Sequence, residues 1–177
     1  MIYSDKETYK TVLLDVAGKM LAAARTAPKA RGIDNIGLAI LEGDDLKKIT
    51  KRMTEIGESL NLPAFIRDAK NIQDTQVMLI LGTRIGSIGL IKCGMCGFKN
   101  CKEKDKYPDH PCVHNTGDLG IAIGSAVSIA MDHRIDNRIM YTAGQALLDL
   151  GIMDKDIKIA YGIPLSISSK NIYFDRK

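Results

Sequence analysis

The chain has no tryptophan among its 177 residues, an aromatic share of only 5%, and three histidines. So few rings argue against a stacking platform for single-stranded nucleic acid, which needs exposed aromatic faces. Charge of one sign is not massed either. Lysine and arginine number 25 against 21 acidic residues, and the basic residues are spread over several segments. A footprint on a phosphate backbone wants a denser stripe, so nucleic acid is not an expected partner. No long hydrophobic run is present: the most apolar stretch, around residues 119–131, is too short and too rich in Gly and Ser to span a bilayer. The opening MIYSDKETYK carries acidic residues and no apolar h-region, so it does not read as a secretory signal. The expectation is a cytoplasmic protein with no membrane role. Cysteine is absent from all but one window, residues 93–112.

That window, CGMCGFKNCKEKDKYPDHPC, holds all four cysteines in the spacing C-x2-C-x4-C-x10-C. Cytosolic thiols stay reduced, so clustered cysteines there read as metal ligands before disulfides. Four soft thiolates suit an iron–sulfur cluster or a structural zinc. Structural zinc commonly takes two separated ligand pairs. Three close cysteines and one remote, as here, are typical of ferredoxin ligation. The expected ligands are Cys93, Cys96, Cys101 and Cys112 around a 4Fe–4S cluster, with a structural zinc on the same four thiolates as the alternative. Gly94 and Gly97 let the backbone turn around a bulky group, Pro111 stiffens the approach to Cys112, and Met95 could shield the site from water. Lys92, Lys99, Lys102, Lys104 and Lys106 could offset a cluster's negative charge, dock an acidic electron carrier, or simply keep the loop soluble. His110 and His114 flank Cys112 and read as loop histidines, although either could tune or replace a ligand.

The remainder reads as a single α/β (α+β) domain over residues 1–177, with the cysteine loop 93–112 inserted in it. Ser4 and Glu7 have capping-box spacing ahead of a helix over 4–27, which Pro28 stops. NIGLAIL (35–41) reads as a buried strand, and Asp44 as the N-cap of a helix to about Leu60. A polar stretch follows, then the strand TQVMLILG (75–82) stopped by Gly82. GTRIGSIGLIK (82–92) lacks dinucleotide-binding spacing and reads as a connector. A helix over 118–133 is apolar or small on nearly every face and belongs in the middle of the structure, with His133 capping its end. A helix over 138–150 ends at Gly151, and DIKIAYGIPLS reads as a strand broken at Gly162 and Pro164. Asp109, Asp118 and Asp136 lack a partner that would mark an acid/base pair.

Two resemblances add to this. CGMCGFKNC resembles the signature of 4Fe–4S domains, and the whole chain is similar to a family of bacterial and archaeal proteins described as containing a ferredoxin domain. AAARTAPKARGIDNIGLAIL, IRDAKNIQDTQVMLILG, GIAIGSAVSIAMD and IKIAYGIPLS with Arg176 resemble, in order, elements of the nitroreductase-like flavoproteins. That second likeness implies a sheet flanked by helices, a homodimer, and FMN approached by the Ala-Pro loop. The residues it points to are Arg25, Pro28, Lys29, Ala30 and Arg176. The Arg-x-Ser-x-Arg segment that holds the FMN phosphate in those flavoproteins is missing; Arg25, Lys29, Arg31 or Arg176 could replace it. The expected function is electron transfer through a 4Fe–4S cluster, coupled to FMN-dependent reduction if flavin binds. The alternative is a non-catalytic binding or assembly protein with structural zinc.

Overall fold

The computed structural model describes residues 4–174, apart from the side chains of Lys6 and Glu7. The expected capping box therefore rests on a Glu7 side chain outside the described residues, and Arg176 lies outside them too.

The organising element is the strand β2 (Val77–Arg84), whose run VMLILGT is buried from end to end. A run apolar at every position suits a strand covered on both faces. β2 pairs antiparallel with β1 (Ile36–Glu42) on one side and β4 (Ile157–Ser166) on the other, and the two-residue β3 (Asp136–Asn137) completes the order β1-β2-β4-β3. Side chains alternate across a strand. Val77, Leu79 and Leu81 enter one core with α1 (Asp5–Thr26) and α5 (Val113–Asp132). Met78 and Ile80 enter the other with α2 (Asp44–Ser59), α3 (Pro63–Asn71) and α6 (Tyr141–Asp149). The result is a helix–sheet–helix sandwich.

Helix α5 fits its central place because Ala122, Ala126 and Ala130 let α1 come close, while Leu119 and Ile123 fill the gaps beside Leu13, Val16 and Met20. On the other face α6 presses on β4 so tightly that a Cβ at Gly144 would stand 1.8 Å from the Ala160 carbonyl oxygen. Only glycine fits there.

Several elements depart from expectation. The polar stretch before β2 contains α3, begun by Pro63 at its first turn, where a missing N–H costs nothing. Asp44 lies inside α2 rather than capping it; Gly43, at φ 63, is the N-cap. β2 runs through Gly82, where a Cβ would meet Ile157 Cγ2 at 2.5 Å. β4 is likewise unbroken at Gly162 and Pro164. Gly162 N–H donates to Met140 O, so two residues on the Pro164 nitrogen faces the same way, toward the gap between Met140 and Asn137 where pairing is interrupted. α5 begins five residues earlier than its apolar pattern, at Cys112 as N-cap, with His133 at the other end as expected.

Candidate metal centre

Between β2 and α5 the chain runs through the connector 85–92 and then the cysteine loop, whose only helix is the four-residue α4 (Cys101–Lys104). Gly94 and Gly97 take φ values of 81° and 89°, and Gly97 N–H donates to Gly94 O at 3.0 Å. This left-handed pair, open to glycine, turns the chain around Cys96. Asn100 caps α4: its Oδ1 accepts from Glu103 N–H at 2.9 Å, and Glu103 Oε2 accepts from Lys99 N–H at 2.8 Å. Within the loop, Phe98 stacks on Tyr107 at 5.3 Å and meets His110 in a T-shaped contact at 4.8 Å, and His110 is not among the residues that line the thiol cavity.

The four cysteines are unpaired and line one small cavity. Cys112, 5% exposed, enters it from the N-terminus of α5; Cys93 is exposed, and Cys96 and Cys101 lie between those extremes. His114 joins the lining, with Nε2 3.9 Å from Cys93 Sγ. Met95, at 69% exposure, points outward rather than covering the thiols. Among the described residues no three His, Cys, Asp or Glu groups stand together as ligands of one ion. As a donor set, four thiols on one wall-lined space fit an iron–sulfur cluster.

The cysteine loop is fastened to the Ala-Pro loop at the end of α1. Arg31 donates from Nη1 to Ile88 O at 3.0 Å and Gly89 O at 3.1 Å, on the connector that walls the cavity. Asp118, two turns into α5, accepts from Ala30 N–H at 3.0 Å. Asn115, a turn earlier, accepts from Gly86 N–H at 3.0 Å and is 1% exposed; its Nδ2 has no hydrogen-bond partner. Cys112, Asn115 and Asp118 thus recur every three residues, so one helix face joins the cysteines, the connector and the Ala-Pro loop. Cys112 and Asp118 were both candidates from sequence, but the partner of Asp118 is a backbone amide that no side-chain pattern could reveal.

Besides Ala30 and Arg31, two more of the candidate FMN residues have other contacts in this structure. Lys29 Nζ donates to Ala24 O at 2.8 Å and Arg25 O at 2.5 Å, closing the C-terminus of α1. Arg25 Nη1 reaches Asp34 Oδ2 at 2.5 Å and Ile36 O at 3.0 Å. Burial pushes the Asp34 carboxyl up, but the Arg25 hydrogen bond, the Ile36 N–H and the charge of Arg25 outweigh it and hold it below its ordinary range.

Comparison with known proteins agrees with this picture. The family described as "Uncharacterized protein containing a ferredoxin domain" (DUF2148) matches residues 109–176. An uncharacterized protein of Archaeoglobus fulgidus is 36% identical over 184 residues, covering 99% of this chain and 98% of its own. Among solved structures, the nitroreductase CinD from Lactococcus lactis, in complex with nicotinic acid, superposes with a TM-score of 0.61 at 10% identity, over 96% of this chain and 81% of its own. A nitroreductase with bound FMN from Desulfitobacterium hafniense DCB-2 gives 0.60 at 11% identity, with the same coverage of 96% and 81%. A BluB-like flavoprotein from Clostridium difficile 630 gives 0.57 at 16% identity, over 100% of this chain and 86% of its own. The fold is nitroreductase-like, and the chain belongs to the family of proteins containing a ferredoxin domain.

Proposed function

We propose that this protein is an iron–sulfur redox protein whose Cys93, Cys96, Cys101 and Cys112 hold a 4Fe–4S cluster beside a loop that accepts FMN. The observation that carries the reading is the one cavity lined by all four thiols, whose connector wall is bonded to the Ala-Pro loop through Arg31 and whose helix α5 is bonded to it through Asp118. The ferredoxin-domain description of the family and the nitroreductase-like fold both support a redox role. The spacing, three close cysteines and one remote, favours a polynuclear iron–sulfur group over structural zinc, which commonly takes two separated ligand pairs.

When bound, the cluster supplies one-electron transfer. The protein's own residues do the rest. Gly94 and Gly97 wrap the loop, and Asn100 fixes the helix that presents Cys101. α5 sets Cys112 at its positive end, where an anionic ligand set is favoured. Pro28 and Ala30 lie on the loop proposed to approach FMN, with Arg25, Lys29 or Arg176 to meet its phosphate, the first two after leaving their present contacts. A flavin there would trade two electrons for the cluster's single ones, with reduction of a substrate at the flavin. Lys92, Lys99, Lys102 and Lys106 are exposed around the loop and suit a redox partner with an acidic face. Free thiols and an oxygen-sensitive cluster suit the cytoplasm of an anaerobic cell, and no helix among the described residues is long and apolar enough to cross a membrane.

Ligand variants test the assignment. Cys96→Ser, purified without oxygen, should lose the broad absorption near 400 nm given by the parent, because it removes one of the three close thiols. His114→Ala should keep that absorption and its iron; loss of the cluster there contradicts the four-cysteine assignment.

A further inference from the structure

Lys104 is the exception among the five lysines of this region: it is buried, at 3% exposure, while Lys92, Lys99, Lys102 and Lys106 are exposed. The Asn100 cap sets its position. A helix started at Cys101 puts residue 104 three positions on, over the same face as the Cys101 sulfur. Lys104 accordingly lines the cavity of the four cysteines, and among its lining residues it is the one lysine or arginine. A lysine so deeply buried normally has a close partner, since an uncompensated buried charge is costly. Here the nearest carboxylate oxygen, Asp105 Oδ1, is 3.8 Å from Nζ, too far for a hydrogen bond. That same oxygen already accepts from Ser87 Oγ at 2.5 Å, and Asp105 is more than half exposed. The ammonium therefore has one loose ion pair with a half-exposed carboxylate and stands at a space lined by four thiols.

We propose that Lys104 is the built-in counter-charge of the cysteine site, and that it raises the reduction potential of the cluster held there. The inference rests on the iron–sulfur reading. Reduction adds one electron and makes the site more negative, so a fixed positive charge at the cavity wall favours the reduced form. No bond of Lys104 forms or breaks; it acts through its charge alone. The four exposed lysines act through water and salt and have a much smaller hold on the potential.

The test compares the parent with Lys104→Met, Lys104→Arg and Lys102→Met, all loaded with iron and sulfide without oxygen. Dithionite supplies the electron, and electron paramagnetic resonance follows the reduced cluster. Lys104→Met should shift the reduction equilibrium at least tenfold toward the oxidised form, about 59 mV for a one-electron couple. Lys104→Arg should recover most of that shift, and Lys102→Met should move it far less. Melting of the metal-free proteins separates this role from a packing one. Without the anionic site, Lys104→Met loses a loosely paired buried charge and should melt no lower than the parent. An unchanged potential in Lys104→Met, or equal shifts in Lys104→Met and Lys102→Met, overturns the proposal. So does a metal-free Lys104→Met that melts well below the parent. A parent that takes up no iron overturns the cluster reading itself, which the iron content reports before any potential is measured.

Discussion

Tyr173 shows how single residues hold the molecule together away from the metal centre. It sits in a short 3-10 turn, Ile172–Phe174, with its ring fully buried and its hydroxyl 3.0 Å from Thr75 Oγ1. Its carbonyl accepts from Arg138 Nη1 at 2.8 Å and Asn71 Nδ2 at 3.2 Å, which ties the end of the described chain to α3. Burial raises its pKa, against a smaller opposing hydrogen bond from Thr75, from 10.0 to about 12. The folded value lies above the unfolded one, so the contribution is complete below pH 10 and is lost as pH rises toward 12. The loss amounts to about 2–3 kcal/mol at the upper end. Urea unfolding at pH 8 and pH 11.5 should show that loss in the parent and a smaller one in Tyr173→Phe; equal losses contradict it. At this scale the cysteines were legible because their spacing is itself a chemical pattern. Lys104 was legible only as one of five lysines, because its burial depends on where α4 begins. Arg31 was legible only as a possible phosphate residue and Asn115 not at all, since both act on backbone groups far away in the chain.

Elements were legible where one periodicity dominated. α1 stands where its apolar pattern put it, and β2 was found from its apolar run although it continues past the expected stop at Gly82, because both are driven by burial of a whole face or strand. α3 was missed because its apolar positions, Phe65 and Ala69, are too few to show a period in nine residues. The start of α5 was missed because VHNTG looks polar, and its burial comes from bonds to other segments, as with Asn115. α5 also carries an element-scale prediction. Gly117, Gly120, Ile121, Gly124, Ser128 and Met131 form an exposed face on a helix otherwise rich in apolar residues, and a Cβ at Gly117, Gly120 or Gly124 would meet nothing within 4 Å. A second copy of the chain is the proposed cover for that face, because small residues allow close helix approach. Sedimentation should give twice the 19.4 kDa chain mass for the parent and the chain mass for Gly124→Arg. A parent that stays monomeric at high concentration contradicts the homodimer.

At the scale of the whole molecule, the sheet and its two helical layers serve to bring two loops together. The Ala-Pro loop leaves α1, the cysteine loop leaves β2 by way of the connector, and α5 runs beneath both. That adjacency makes a cluster and a flavin neighbours in the proposed account, and it depends on contacts 57 and 88 residues apart in sequence. The order of elements showed the fold, but only the folded chain shows the fastening. The claim on which the rest depends is the identity of the bound group, and one measurement addresses it directly. Iron, sulfide, zinc and flavin are quantified together, with the visible spectrum, in protein purified without oxygen. The account predicts about four irons and four sulfides per chain with broad absorption near 400 nm. One zinc per chain, no iron and no colour would contradict it.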